Sequence, residues 1–188
     1  MGLSEKKIIK NYEKFCSTGE KYGFLTDELK LFLGADIINA PANPNKDNYN
    51  AFDGGLIAHT LLVTKYAISL NEILPESIRV DVQSLIKVCL LHQIGKVRLF
   101  TPCKSEWHKE HQGKMYDFNK ELTAMRIGER SVFYVISNGG SLTETEFQAI
   151  INFDKPNDDK MSKWYSSTLS LILKQANELA IREEEVIE

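Results

Sequence analysis

Two short stretches constrain this chain most, because each places a histidine on the side of a helix that has to be buried. The first, Gly54-Gly55-Leu56-Ile57-Ala58-His59-Thr60, opens a run to residue 73 in which Leu56, His59, Val63, Tyr66 and Leu70 recur at steps of three and four. The second, Leu90-Leu91-His92-Gln93-Ile94-Gly95-Lys96, closes a run from residue 82 in which Leu85, Val88, Cys89 and His92 do the same. That spacing is the signature of one helix face, and Pro75 separates the two runs. Two helices that each bury an imidazole are expected to pack with the histidines between them. Such a pair is either a hydrogen-bonded part of the core or two ligands of a metal held between helices. A metal needs more than two ligands, so the others must come from elsewhere in the chain.

The remaining pattern is also helical. Residues 4–15 are expected to form an amphipathic helix with Ile8, Ile9, Tyr12 and Phe15 as its apolar stripe. Residues 25–39 read as a second helix ended by Pro41, and 40–50, with two prolines and four asparagines, as a loop. Trp107 to Phe118, around Gln112-Gly113, reads as a β-hairpin within an insertion of about 104–119. That hairpin would put His108 and His111 on opposite faces, away from a joint metal site with Cys103. A helix over 128–137 stops at Gly139-Gly140, and Thr143-x-x-Glu146 is a capping box opening another through about residue 152. Residues 154–159 form a loop around Pro156, and a last helix over 162–183 turns Leu169, Ile172, Leu173, Ala176 and Leu179 inward. The expected fold is an all-α, single-domain bundle of six to eight helices with a small β-hairpin insertion. The helices of 1–37 pack on a core formed by 38–188.

With 188 residues, 43% hydrophobic and 26% charged, the chain is long enough for one sizeable core. A net charge of −3 gives no electrostatic footprint for nucleic acid. Cys16, Cys89 and Cys103 are odd in number and widely spaced, which makes no disulfide framework and suits a reducing compartment. No apolar run approaches the ~20 residues of a membrane span, and Glu5, Lys6 and Lys7 leave no visible signal peptide. A cytoplasmic protein without membrane contact is expected.

The two histidine stretches resemble the HD-domain superfamily of metal-dependent phosphohydrolases, whose hallmark is His … His-Asp … Asp. Small members carry Gly-Gly-Leu-x-x-His-Thr before the first histidine and Leu-Leu-His-Asp-Ile-Gly-Lys around the second. Gly54 to Thr60 match the former, and Leu90 to Lys96 match the latter except that Gln93 replaces the aspartate. Farther on, Arg126-Ile127-Gly128-Glu129-Arg130-Ser131 resembles a Gly-His-Gly-Glu-Lys-Ser segment with Ile127 at the histidine. Ala149-Ile150-Ile151-Asn152-Phe153 resembles Ala-Ile-x-x-His with Phe153 at the histidine, and Ala176-Asn177 stands for a final Ala-Asp. The likeness spans roughly residues 38–180.

The resemblance implies a helical phosphohydrolase scaffold with four lost ligand positions: Gln93, Ile127, Phe153 and Asn177. His59 and His92 remain as possible metal ligands, with Gln93 and Asn177 as weak neutral oxygen donors. The charge that a hydrolytic metal requires is missing, and isoleucine and phenylalanine cannot ligate. The expectation is therefore a catalytically inactive relative, with no catalytic residue assigned and no cofactor, that binds a small anionic ligand or a protein partner. Lys96, Arg126 and Arg130, with Arg98 near them, are the candidate anion-binding residues. The alternative is an active metal-dependent phosphohydrolase for a nucleotide or other phosphate ester. It would hold a divalent Mn, Fe, Mg, Ni or Zn at His59 and His92, with Asp53 or Asp154 as a compensating carboxylate. Cys89, on the His92 face, reads as an inert core thiol.

Overall fold

The computed structural model describes residues 2–155 and 166–186. Helix α1 (Glu5–Lys21) runs past residue 15, because Gly19 lets its last turns close on Leu25: a Cβ there would lie 2.6 Å from the Leu25 Cβ. Phe15 of its stripe is buried, whereas Ile9 is 54% exposed. The single helix expected over 25–39 is two. Thr26 caps α2 (Asp27–Leu33) by accepting from the Leu29 amide at 3.0 Å, and Gly34, at φ 50°, ends it before α3 (Asp36–Asn39).

Helix α4 (Gly55–Ile73) starts where the double glycine allows. Gly54 has φ 78°, and a Cβ on Gly55 would lie 2.1 Å from the Asn50 carbonyl oxygen. Only glycine fits such an approach. The chain then passes Pro75 and a single 3₁₀ turn to α5 (Val82–Leu91), capped by Asp81, which accepts from the Ser84 amide. A second 3₁₀ turn, Ile94–Lys96, follows His92 and Gln93.

The insertion differs from its expected form. Glu106–Gln112 is a helix (α6), flanked by the short antiparallel strands β1 (Phe100–Pro102) and β2 (Tyr116–Phe118), with Phe100 opposite Phe118. Ser105 caps the helix by accepting from the His108 amide, and Gly113 ends it in the left-handed conformation. These start and stop signals override the β-forming aromatic residues. His108 and His111 therefore stand three apart on a helix, not on opposite faces of a strand.

Helices α7 (Ile127–Ser137) and α8 (Glu144–Asn152) follow, the latter opened by the reciprocal Thr143–Glu146 capping box. Helix α9 is described over Thr168–Val186, and the loop expected at 156–159 and the helix start expected at 162 lie outside the described residues. Leu169, Ile172, Leu173 and Ala176 face inward as expected. Leu179 is 42% exposed instead, and Ala180, four residues after Ala176, takes the buried place.

Helix α4 lies against both α5 and α9, and α8 packs on α7 and α9. One buried cluster reaches from Phe15 in α1 to Ala180 in α9, through Val63, Leu85, Leu90 and Leu173. Each such aliphatic or aromatic side chain contributes about 1.5–3 kcal/mol on burial. The molecule is predominantly helical with one two-stranded sheet, and among the described residues no helix is long and apolar enough to cross a membrane.

Candidate functional site

The packing of α4, α5 and α9 buries both histidines completely. His92, at the end of α5, donates its Nδ1 proton to the Cys89 carbonyl at 2.8 Å, which leaves a lone pair on Nε2. Burial first, and the neighbouring His59 second, push the His92 imidazole down to about 3, so it is neutral at ordinary pH. His59 lies 2.6 Å, through Nδ1, from Glu184 Oε2 of α9, a buried carboxylate that also accepts from Asn50 Nδ2 at 2.5 Å.

Both Nε2 atoms face Asn177. Its Oδ1 lies 3.0 Å from His59 Nε2 and 3.3 Å from His92 Nε2. The Gln93 NH₂ donates to Asn177 Oδ1 at 3.2 Å and to the Tyr49 hydroxyl at 3.5 Å, and lies 3.3 Å from His59 Nε2. Gln93 Oε1 is buried without a partner among the described residues. The Phe153 ring meets His92 edge-on, with centroids 4.7 Å apart, and Tyr49 covers His59 at 4.5 Å. Two imidazoles and two neutral carboxamides thus share one buried spot. As a cation site it offers, among the described residues, two nitrogens and an amide oxygen but no carboxylate, since Glu184 stands behind the His59 ring. Among the described residues no three His, Cys, Asp or Glu side chains are placed to hold an ion.

Beside this cluster opens a cleft of about 1000 Å³ whose walls include Gln93, Ile127, Phe153 and Asn177. Among the described residues five cationic side chains line it, Lys96, Arg126, Arg130, Lys155 and Lys174, against two acidic ones, Asp154 and Glu178. On a chain of net charge −3 this is a concentration of positive charge. Lys96 is 4% exposed; its Nζ donates to the Ala42 carbonyl at 2.6 Å and to the Tyr49 hydroxyl at 3.3 Å. Burial holds this ammonium below the usual lysine range, and the carboxylates of Asp154 and Glu184 act on it only from a distance. Arg130 is 5% exposed, donates from Nη2 to the Thr123 carbonyl, and has a buried Nε with no partner among the described residues. Among the described residues neither cation has a carboxylate within ion-pair distance.

Gly95 and Ser131 set this geometry. The Gly95 amide donates to Ser131 Oγ at 2.9 Å, and that hydroxyl lies 2.8 Å from the His92 carbonyl and 2.9 Å from the Ile127 carbonyl. The start of α7 is thereby clamped onto the turn after His92, which brings Arg130 to the same cleft as Lys96.

The other candidates fall elsewhere. Arg98 is not part of the cleft: its guanidinium pairs with Asp36, donates to the Phe32 carbonyl and lies over the Phe32 ring. Asp53 accepts from the Tyr116 hydroxyl at 2.7 Å and gives the histidines no carboxylate, while Asp154 lines the cleft. In α6, His111 stacks on Trp107, and the buried Cys103 donates to the Ser105 carbonyl. Burial raises the Cys89 thiol, as an inert core residue requires. Two residues were missed, Tyr49 and Glu184. Glu184 had a legible signal, because it follows Asn177 by seven residues and so shares its helix face two turns on.

Comparison with family models, with curated proteins and with solved structures finds no match to this chain.

Proposed function

We propose that the chain is a binding protein for a small anionic ligand, built on an HD-domain-like helical bundle that has lost the hydrolytic metal centre. The observation that carries this reading is the pair of buried cations, Lys96 and Arg130, on the wall of one cleft without a carboxylate partner among the described residues. Removing a charge from water costs several kcal/mol unless an opposite charge comes with it, and a ligand anion supplies that charge. Guanidinium and ammonium groups together are the donors that phosphate and carboxylate groups seek. Arg126, exposed at the start of α7, adds a third positive charge that attracts the ligand.

A metal-dependent phosphohydrolase is the second reading, favoured by the convergence of His59 Nε2, His92 Nε2 and Asn177 Oδ1. It is the weaker of the two because the oxygen donors are neutral and Ile127 and Phe153 are apolar. Thermal unfolding with inorganic phosphate separates the readings. Phosphate is expected to raise the Tm of the parent and leave that of Lys96→Met unchanged, with no added metal needed. Equal shifts in both proteins, or hydrolysis of phosphate esters that requires Mn²⁺ or Mg²⁺, would reject the first reading.

A further inference from the structure

The cleft is much larger than a bare phosphate or carboxylate, and about 1000 Å³ is at the upper end of the range that holds a drug-sized molecule. Its wall away from the histidine cluster is the small sheet. Phe100 and Phe118 are directly opposite in the antiparallel register, so both side chains project from the same face. Their ring centroids are 5.2 Å apart with planes at 57°, and both line the cleft. Phe118 is 60% exposed. The sheet is held in place: the amides of Met115 and Tyr116 both donate to the Pro44 carbonyl, and the Tyr116 hydroxyl is bonded to Asp53. The aromatic pair is therefore set before any ligand arrives, which lowers the ordering cost of binding.

We infer that the ligand is an organic anion with an aromatic body, its phosphate or carboxylate head at Lys96, Arg126 and Arg130 and its ring on Phe100 and Phe118. This rests on the anion-binding reading above and adds the part of the ligand that the cations do not contact. The two phenylalanines select for a flat apolar body, while the cations select only for charge. Aromatic contacts of this kind contribute beyond the area they bury.

Calorimetric titration of the full chain with matched pairs tests it: phenyl phosphate against methyl phosphate, and benzoate against acetate. The aromatic member is expected to bind about ten-fold more tightly in at least one pair, and the pair that shows it identifies the head group. In Phe118→Ala the ratio falls below about three-fold, while the free protein stays folded with a Tm within a few degrees of the parent, because the side chain is largely exposed and loses only its contact with Phe100. Equal binding within both pairs, or a preference that survives Phe118→Ala, overturns the aromatic platform while leaving the anion site standing. Binding of none of the four compounds overturns the anion site and the platform with it.

Discussion

Replacing Asn177 by aspartate perturbs the point where the two imidazoles meet. The Asn177 carboxamide is 7% exposed, and its Oδ1 lies 3.0 and 3.3 Å from the two Nε2 atoms. Asn177→Asp therefore sets a full negative charge beside both ring nitrogens, and the neutral His92 imidazole, its Nδ1 proton on the Cys89 carbonyl, meets it with a lone pair on Nε2. A proton on His92 would relieve the clash. At 3.3 Å and an effective dielectric of about 20, the carboxylate attracts an imidazolium by about 5 kcal/mol. That is comparable with what burial takes from His92, whose imidazole is now held down to about 3. The variant is therefore expected to gain a histidine that protonates within the ordinary range. At pH 8, where the ring is neutral, the buried carboxylate is unpaired and stability falls by about 3–5 kcal/mol. Mn²⁺ or Zn²⁺ should restore part of that loss in the variant, by about 2.7 kcal/mol at a hundred times its Kd, and do much less for the parent. Adding Gln93→Asp should raise the metal affinity again, without restoring turnover at Ile127 and Phe153. Urea titrations at pH 6 and pH 8, with and without metal, read these effects. A variant as stable as the parent at pH 8 and indifferent to metal would refute the placement of Asn177 between the two imidazoles.

Acid should weaken the parent through His92. The unfolded chain takes up its proton near the ordinary imidazole value of 6.5 and the folded chain only near about 3, so stability is complete above that window and declines as pH falls through it. The decline is up to about 5 kcal/mol; denaturant melts from pH 7 to 3 should show it, and His92→Gln should flatten it, whereas an identical decline in both proteins would contradict the assignment. Gly95→Ala would place a Cβ 2.4 Å from the Ile127 carbonyl oxygen and 2.9 Å from the Ser131 amide nitrogen. It should lower stability by about 1–3 kcal/mol and reduce the Tm response to phosphate together, because the same clamp positions Arg130. An unchanged phosphate response in a destabilised Gly95→Ala would separate the clamp from the site.

The paired helices α4 and α5 were legible because three- and four-residue spacing coincides with sharp boundary signals: the double glycine before Leu56, and Pro75. The Thr143–Glu146 box was legible for the same reason, since its hydrogen bonds are local. The hairpin was misplaced where local signals compete. Trp107, Met115, Tyr116 and Phe118 favour strands, but Ser105 and Gly113 cap a helix between them and push the strands outward to 100–102 and 116–118. Within the site, helical periodicity alone turns His59 and His92 toward the core. That Lys96 and Arg130 are buried with no carboxylate partner among the described residues could not be read, because a missing counter-charge is a property of the packed structure. Arg98 shows the same limit, its partner Asp36 lying 62 residues away. Glu184 was within reach of face arithmetic, yet its bond to His59 spans 125 residues and depends on how α9 lies on α4.

The most direct test of a cleft built for an anion is an anomalous difference map from crystals soaked in selenate and Mn²⁺ together. A selenium peak within hydrogen-bonding distance of Lys96 and Arg130, with no manganese between the imidazoles of His59 and His92, is the predicted result. A manganese peak bridging those two rings, with the cleft free of selenate, would contradict it.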